Sequence, residues 1–162
     1  MLCINQGTID IGELFASNFS FLQINNRGID ITIEKIVPRK IRVQTWDQSF
    51  SYRITNWLPL NSINYTAYIK CASNEEKQKL LEKILTGNIL SFAKGLGMRF
   101  DKEIRCSIVS FAESSPVKVK DTLMQRFQVT FDSNVSLPEY IGLGKHVSIN
   151  FGVLTRKKNK TE

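Results

Sequence analysis

LPEYIGLGKHVSINFGVL, residues 137 to 154, decides how the rest of the chain is read. The stretch holds three of the nine glycines and the only histidine, and it runs on into the cations Arg156, Lys157, Lys158 and Lys160. Gly142 and Gly144 are free to take φ > 0 without a Cβ clash. A G-x-G spacing followed by K-H-x-S therefore lets backbone N–H groups and short polar side chains crowd one place, which is how a chain grips phosphate. The plainer reading is a tight loop entering a strand. In both cases Val147, Ile149, Phe151 and Val153 alternate and predict a final β-strand behind the glycines.

Working back from that loop, Leu137 to Ile141 reads as a short helical turn. Leu123 to Phe131 reads as a strand with Leu123, Phe127, Val129 and Phe131 sharing one face with Gln125, and Met124, Arg126, Gln128 and Thr130 on the other. Ile104 to Phe111 is a second strand. Ser73 begins the longest helix, with Glu76 three residues on completing a capping box. Its apolar stripe runs through Leu80, Leu81, Ile84, Leu85, Ile89, Leu90, Ala93 and Leu96, while Lys77, Lys79, Glu82 and Lys83 face water. Gly87 and Asn88 predict a kink or restart, and Gly95 and Gly97 a stop. Before the helix, Ile41 to Trp46 and Tyr52 to Asn56 alternate around Asp47-Gln48 and predict a hairpin. Trp46 and Trp57 are core or lid residues, or platforms on which bases stack.

The opening is different in kind. Leu2 to Asn5 reads as a strand, Ile9 to Ala16 as a short helix, Asn25 to Gly28 as a turn, and Ile29, Ile31 and Ile33 as one face of a half-buried strand. That is half of a β-α-β-β-α-β unit, and Pro38 marks a boundary around Val37 to Arg39. The expected organisation is α+β: an incomplete ferredoxin-like domain over 1–37, a ferredoxin-like or RRM-like domain over 38–155, and a basic tail over 156–162.

Composition narrows the function classes. A chain of 162 residues with 42% hydrophobic content is long enough for a core. No apolar run approaches the ~20 residues that span a bilayer, and Asn5, Gln6 and Asp10 interrupt any signal peptide, so a cytoplasmic protein without membrane partners is expected. Cys3, Cys71 and Cys106 carry no C-x-x-C spacing and no paired histidines, so buried free thiols are expected rather than disulfides or a metal site. The net charge of +7 favours a polyanionic partner. Lys118, Lys120, Arg126, Lys145, Arg156, Lys157 and Lys158 come from strands and a loop that neighbour one another in this plan, and they are the candidate phosphate contacts.

Three runs then resemble a known family. NWLPLNSINYTAYIK (Asn56 to Lys70), LLEKILTGNILSFAKGLGM (Leu80 to Met98) and FDSNVSLPEYIGLGKHVSINFGVL (Phe131 to Leu154) resemble the CRISPR repeat-processing endoribonucleases of the Cas-six family, in its Bacteroidetes-type branch. The opening CINQGTIDIGELF is similar to the later part of that family's N-terminal domain. The resemblance implies two tandem ferredoxin-like domains that bind CRISPR repeat RNA, a glycine-rich loop that helps to hold it, and cofactor-free, metal-independent cleavage by ribose 2′-OH attack, leaving a 2′,3′-cyclic phosphate. Gly142, Gly144, Ser148 and Gly152 match the loop, whereas Asn150 stands where a glycine is common and His146 where a small residue is typical. The family's usual general base is a histidine in the N-terminal domain, and this chain has none before position 146. Three accounts stay open: a reading frame that starts upstream, a truncated relative that retains or shields RNA without cutting it, or a partner that supplies what is missing.

Cleavage by this route needs a base, an acid and positive charge at the phosphate. Histidine as a residue type is suited to proton transfer near neutral pH, and Lys145 beside His146 supplies charge, so the two form a minimal catalytic pair. The competing reading of His146 is a passive loop residue. Tyr140 is a weaker candidate proton donor, or a core or stacking residue. Association through residues 1 to 36, with a second copy or with an effector complex, is expected from the unpaired edges of a half domain.

Overall fold

A computed structural model describes residues 12–13, 21–32 and 41–157. The chain divides into two compact units, Met1–Lys40 and Ile41–Glu162. In the first, β1 (Phe21–Ile24) and β2 (Arg27–Asp30) form an antiparallel hairpin. Its turn residues Asn25 and Asn26 both have positive φ, 49° and 61°, as a two-residue hairpin loop demands. The strand starts at Arg27, ahead of Gly28, and is exposed along its length rather than half-buried. Gly12 and Glu13 are helical. The strand expected at Leu2 to Asn5, the rest of the helix over Ile9 to Ala16 and the boundary at Val37 to Arg39 lie outside the described residues.

The second unit contains β3 (Thr45–Trp57), α1 (Ser62–Lys70), α2 (Asn74–Gly95), β4 (Cys106–Val119), β5 (Thr122–Val135) and β6 (Val153–Arg156). The strands lie in the order β4-β5-β3-β6 with every neighbouring pair antiparallel. This is the ferredoxin-like order, with the unit's first and third strands at the centre, and it bears out the α+β reading. Where the β-α-β-β-α-β plan has a second helix, the chain between β5 and β6 makes only a 3-10 turn, Val147–Ile149.

The long helix forms where its signals lie. Ser73 Oγ accepts from the Glu76 N–H, while the Glu76 carboxylate accepts from the Ala72 N–H, so the box closes one residue early. At the other end Gly97 (φ +69°) is left-handed. Its N–H bonds to Lys94 O at 3.0 Å and that of Met98 to Ala93 O at 2.9 Å, a complete Schellman stop. Leu81, Leu85, Ile89 and Ala93 are buried against the sheet, onto Tyr52, Ile54, Trp57, Phe127, Val129, Phe131 and Leu154. Leu90, included in the expected stripe, is half exposed. Helix α1 escapes apolar periodicity because Ile63 and Ile69 face solvent and only Tyr68 is buried.

Two expectations need correction, and between the two readings of the tryptophans the interior one holds. Helix α2 runs unbroken through Gly87 and Asn88, and Asn88 is polar because its Oδ1 accepts from Trp57 Nε1 at 3.1 Å. The hairpin around Asp47-Gln48 is instead one 13-residue strand. Its register against β5 slips between Thr45 and Phe50, and Asp47 is polar because it leaves the ladder there to pair with Lys102 at 2.7 Å. The two tryptophans serve the interior: Trp57 is fully buried, and half-buried Trp46 donates to Ser136 Oγ at 2.8 Å.

Cys71 and Cys106 are free but half-buried rather than buried. Burial, reinforced by the Glu82 carboxylate, pushes the Cys106 thiol from an ordinary value of 9.0 up to about 12. Burial also raises the phenols of Tyr52 and Tyr68. Because the folded chain holds these protons after the unfolded chain has released them, stability is full below pH 9 and falls as pH rises from 9 toward 12. Cys106 alone gives a slope of up to about 1.4 kcal/mol per pH unit. Urea midpoints at pH 8 and pH 10.5 measure the fall, and Cys106→Ala is expected to make it shallower.

Candidate nucleic-acid interface

The sheet has two unlike faces. One is covered by the helices, and the other, which carries Arg53, Arg126, Gln128 and Thr130, is polar along most of its length. At one end of this second face a small apolar cluster forms from Leu58, Val119 and Met124, with Val117 and Phe151 packed on it. Val117 and Met124 are cross-strand partners, so the tip of the β4–β5 hairpin and the segment leading out of the glycine loop are joined here. The loop is thereby seated over the end of the sheet.

The loop is built by close backbone approach. Gly144 (φ +99°) lies against Trp57, where a Cβ would come within 2.8 Å of Nε1. Gly152 (φ +68°) lies against the Leu143 carbonyl, with no room for a Cβ. Gly142 does not take positive φ. It bridges Val153, and it is glycine because Val147 leans over it. His146 (φ 57°) and Asn150 (φ 71°) are both left-handed and bracket the 3-10 turn. These conformations end extension, so the strand expected from Val147 begins only at Val153. The helical turn expected over Leu137 to Ile141 reduces to a turn at Glu139 and Tyr140, where Tyr140 is left-handed and exposed.

Hydrogen bonds fix the loop's two ends and leave its crown open. Lys145 N–H donates to Leu58 O at 3.2 Å, Leu143 N–H to Gly152 O at 2.9 Å, and Gly152 N–H to Asn56 O at 3.0 Å. Among the described residues, the N–H groups of Gly144, His146, Val147 and Ser148 have no protein acceptor. Lys145, Ser148 and Asn150 are exposed and His146 is half-buried. The His146 imidazole has no hydrogen-bond partner among the described residues. Consecutive open N–H groups beside a lysine suit a phosphate oxygen.

The expected cations divide. Arg126 joins the loop: its Nη1 donates to Asn56 Oδ1 at 3.2 Å and its Nε to Ser115 O at 2.9 Å, while the Asn56 carbonyl holds Gly152. Lys120 (φ 54°) forms the hairpin turn beside the apolar cluster. Lys118 sits between Val117 and Val119, whose side chains pack toward the loop, so it projects from the opposite side and lies 3.9 Å from Asp121. Arg156 is the clearest correction. It pairs across from Tyr52 on the helix-covered face, and its guanidinium stacks 4.5 Å over the Phe50 ring. It is also a strand residue rather than part of a tail. Lys157 bonds to Ser51 O at 2.9 Å, five or more residues along the sheet from the loop, roughly 16 Å or more. Lys158 lies outside the described residues. Asn56, which sequence reading took as an ordinary strand position, was missed as part of the site. The available signal was an asparagine, a residue that tolerates left-handed geometry, just before Trp-Leu-Pro.

A ferredoxin-like sheet with one helix-covered face, and a cation-flanked glycine loop leading into its last strand, defines a class of domain suited to holding an anionic chain. Residues 44–157 match the family described as the Cas6b C-terminal domain. An uncharacterised protein of Methanocaldococcus jannaschii is 37% identical over 103 residues, covering 64% of this chain and 69% of that one. A crystal structure of Cas6b superposes with a TM-score of 0.83 at 28% identity, over 95% of this chain and 70% of that one. A second, of the CRISPR RNA processing endoribonuclease Cas6b, gives 0.75 at 28% identity, over 93% and 73%. The chain belongs to the Cas6b family. These matches speak to the family and not to its Bacteroidetes-type branch. Among the described residues, no helix is long and apolar enough to cross a membrane.

Proposed function

We propose that the protein processes CRISPR repeat RNA in the cytoplasm, gripping the sugar-phosphate backbone with the crown of the glycine loop and cutting it without a metal. The observation that carries this reading is the set of N–H groups at Gly144, His146, Val147 and Ser148 that have no acceptor among the described residues, beside Lys145 and in a loop whose Gly152 end shares Asn56 with Arg126, in a chain of the Cas6b family. His146 takes the proton of the ribose 2′-OH, the oxygen attacks the adjacent phosphorus, and the P–O5′ bond breaks with the 5′-oxygen taking a proton from solvent water, to give a 2′,3′-cyclic phosphate. Lys145 and Arg126 face the charge that develops on the phosphate. Lys120, Ser148 and Asn150 extend the contact along the backbone.

A second reading has a specific observation in its favour: among the described residues no group hydrogen-bonds and orients the His146 imidazole, and a general base works best when one does. In that reading the protein retains or shields the RNA without cutting it. Incubation with a hairpin repeat RNA in EDTA decides between them. Cleavage with a cyclic phosphate end supports the first reading, and retention without cleavage the second. With Lys145, Arg126 and Lys120 each neutralising a phosphate, log affinity should fall with log salt at a slope of about −2 to −3. Binding indifferent to salt overturns both. Residues 1 to 36 are proposed to associate with a second copy or an effector complex, and light scattering that gives a monomer in the same sample would count against a homodimer.

A further inference from the structure

Asn56 stands at an irregular point of β3, where the register against β5 slips between Ile54 and Trp57. It is left-handed (φ 52°) although it is not glycine, and both of its oxygens are engaged on the side of the loop. The backbone carbonyl accepts from Gly152, which ends the glycine loop, and the side-chain Oδ1 accepts from Arg126 Nη1. Arg126 is held at a second point by Ser115 O. One residue therefore fixes the loop and turns a guanidinium toward it. The strained backbone is what aims both oxygens the same way: in an extended strand they would diverge.

We infer that Asn56 is a positioning residue that braces Arg126 and the glycine loop into a single anion-binding unit, with the unbonded N–H groups of Arg126 directed at a phosphate next to the one on the crown. The inference deepens the proposed function and rests on it. Two bonds to fixed acceptors remove most of the rotamer freedom that an arginine otherwise loses on binding. An unbraced Arg126 would be free to swing away from the phosphate, and that contact would be lost.

The test uses Asn56→Gly, which keeps the left-handed backbone and the carbonyl bond to Gly152 but deletes the brace. Thermal unfolding of this variant is expected to match or exceed that of the wild type. Affinity for hairpin RNA in EDTA is expected to fall roughly tenfold, and the salt slope to lose about 0.7 to 0.9, equivalent to one phosphate. Arg126→Ala is expected to lose a similar amount, and the double variant no more than Arg126→Ala alone. Additive losses, or an unchanged slope in Asn56→Gly when the wild type binds with normal salt sensitivity, would overturn the brace alone. A wild type that shows no salt-sensitive binding overturns the function, and the brace with it. Without RNA, hydrogen exchange at the Arg126 Nη1–H, which Asn56 Oδ1 accepts, should quicken in Asn56→Gly, and an unchanged rate would also refute the brace.

Discussion

Replacing His146 by asparagine is expected to slow cleavage of hairpin repeat RNA by roughly 10²- to 10⁴-fold, the usual effect of removing a general base, with affinity nearly unchanged. Asparagine is the better substitution because position 146 is left-handed (φ 57°). Asn shares with His an enrichment in that region, whereas alanine adds about 1 to 2 kcal/mol of backbone strain and would move the crown. Asparagine also hydrogen-bonds without titrating near neutrality. A loss in rate shared by His146→Asn and His146→Ala, with binding kept only in the first, assigns the proton transfer to the imidazole. Single-turnover kinetics in EDTA with saturating protein measure it. Wild-type rates in His146→Asn would remove the residue from the chemistry, and attention would pass to exposed Tyr140 or to a group outside the described residues.

Much of the fold could be read because several local signals were paid out at the same place. Ser73 and Glu76 open α2, Gly97 closes it, and the buried stripe lies between them. The alternation of Phe127, Val129 and Phe131 marks the buried face of β5. Reading failed where polar residues answer to a distant partner. Asp47 serves Lys102 and Asn88 serves Trp57, 55 and 31 residues away, and a linear pattern takes both for turns or kinks. Helix α1 failed for the opposite reason, since a surface helix that buries one tyrosine has no stripe to show.

The candidate site was legible in its location and not in its phase. Val147, Ile149, Phe151 and Val153 looked like one strand face, which would have set Arg156 on the open side of the sheet. The left-handed residues Asn150 and Gly152 shift the strand by one position, so that Leu154 rather than Val153 is buried. In a sheet, a one-residue shift sends every side chain to the other face. Arg156 therefore stacks over Phe50 on the helix-covered side, where it stays exposed, and the cation near the loop is Arg126. The same shift leaves Lys145 and the open N–H groups where they were expected, because they precede it.

Gly152→Ala should therefore be among the most damaging single substitutions in the second unit. Gly152 and Gly97 have nearly equal φ, +68° and +69°, yet a Cβ at Gly97 meets nothing within 4 Å while one at Gly152 runs into the Leu143 carbonyl oxygen. Alanine at Gly97 carries only the left-handed penalty, about 1 to 2 kcal/mol. At Gly152 the backbone of Leu143 must also move, and that segment is tied to β6 by Leu143 N–H to Gly152 O, Tyr140 N–H to Leu154 O and Leu154 N–H to Ile141 O. Losing two or three such bonds, at about 1 kcal/mol each, raises the expected cost to about 3 to 5 kcal/mol. That is a large share of the ~5–15 kcal/mol that holds a domain together. Urea unfolding of both variants isolates the steric part, since the conformational part cancels between them. RNA affinity should divide the same way, with Gly97→Ala binding as the wild type and Gly152→Ala losing the salt-sensitive component, because the crown of open N–H groups is held in position by the bonds that Gly152 makes. Equal destabilisation by the two substitutions would mean that the loop relaxes around an added methyl group, and the close approach of Gly152 to Leu143 would then have no part in shaping the crown of the loop.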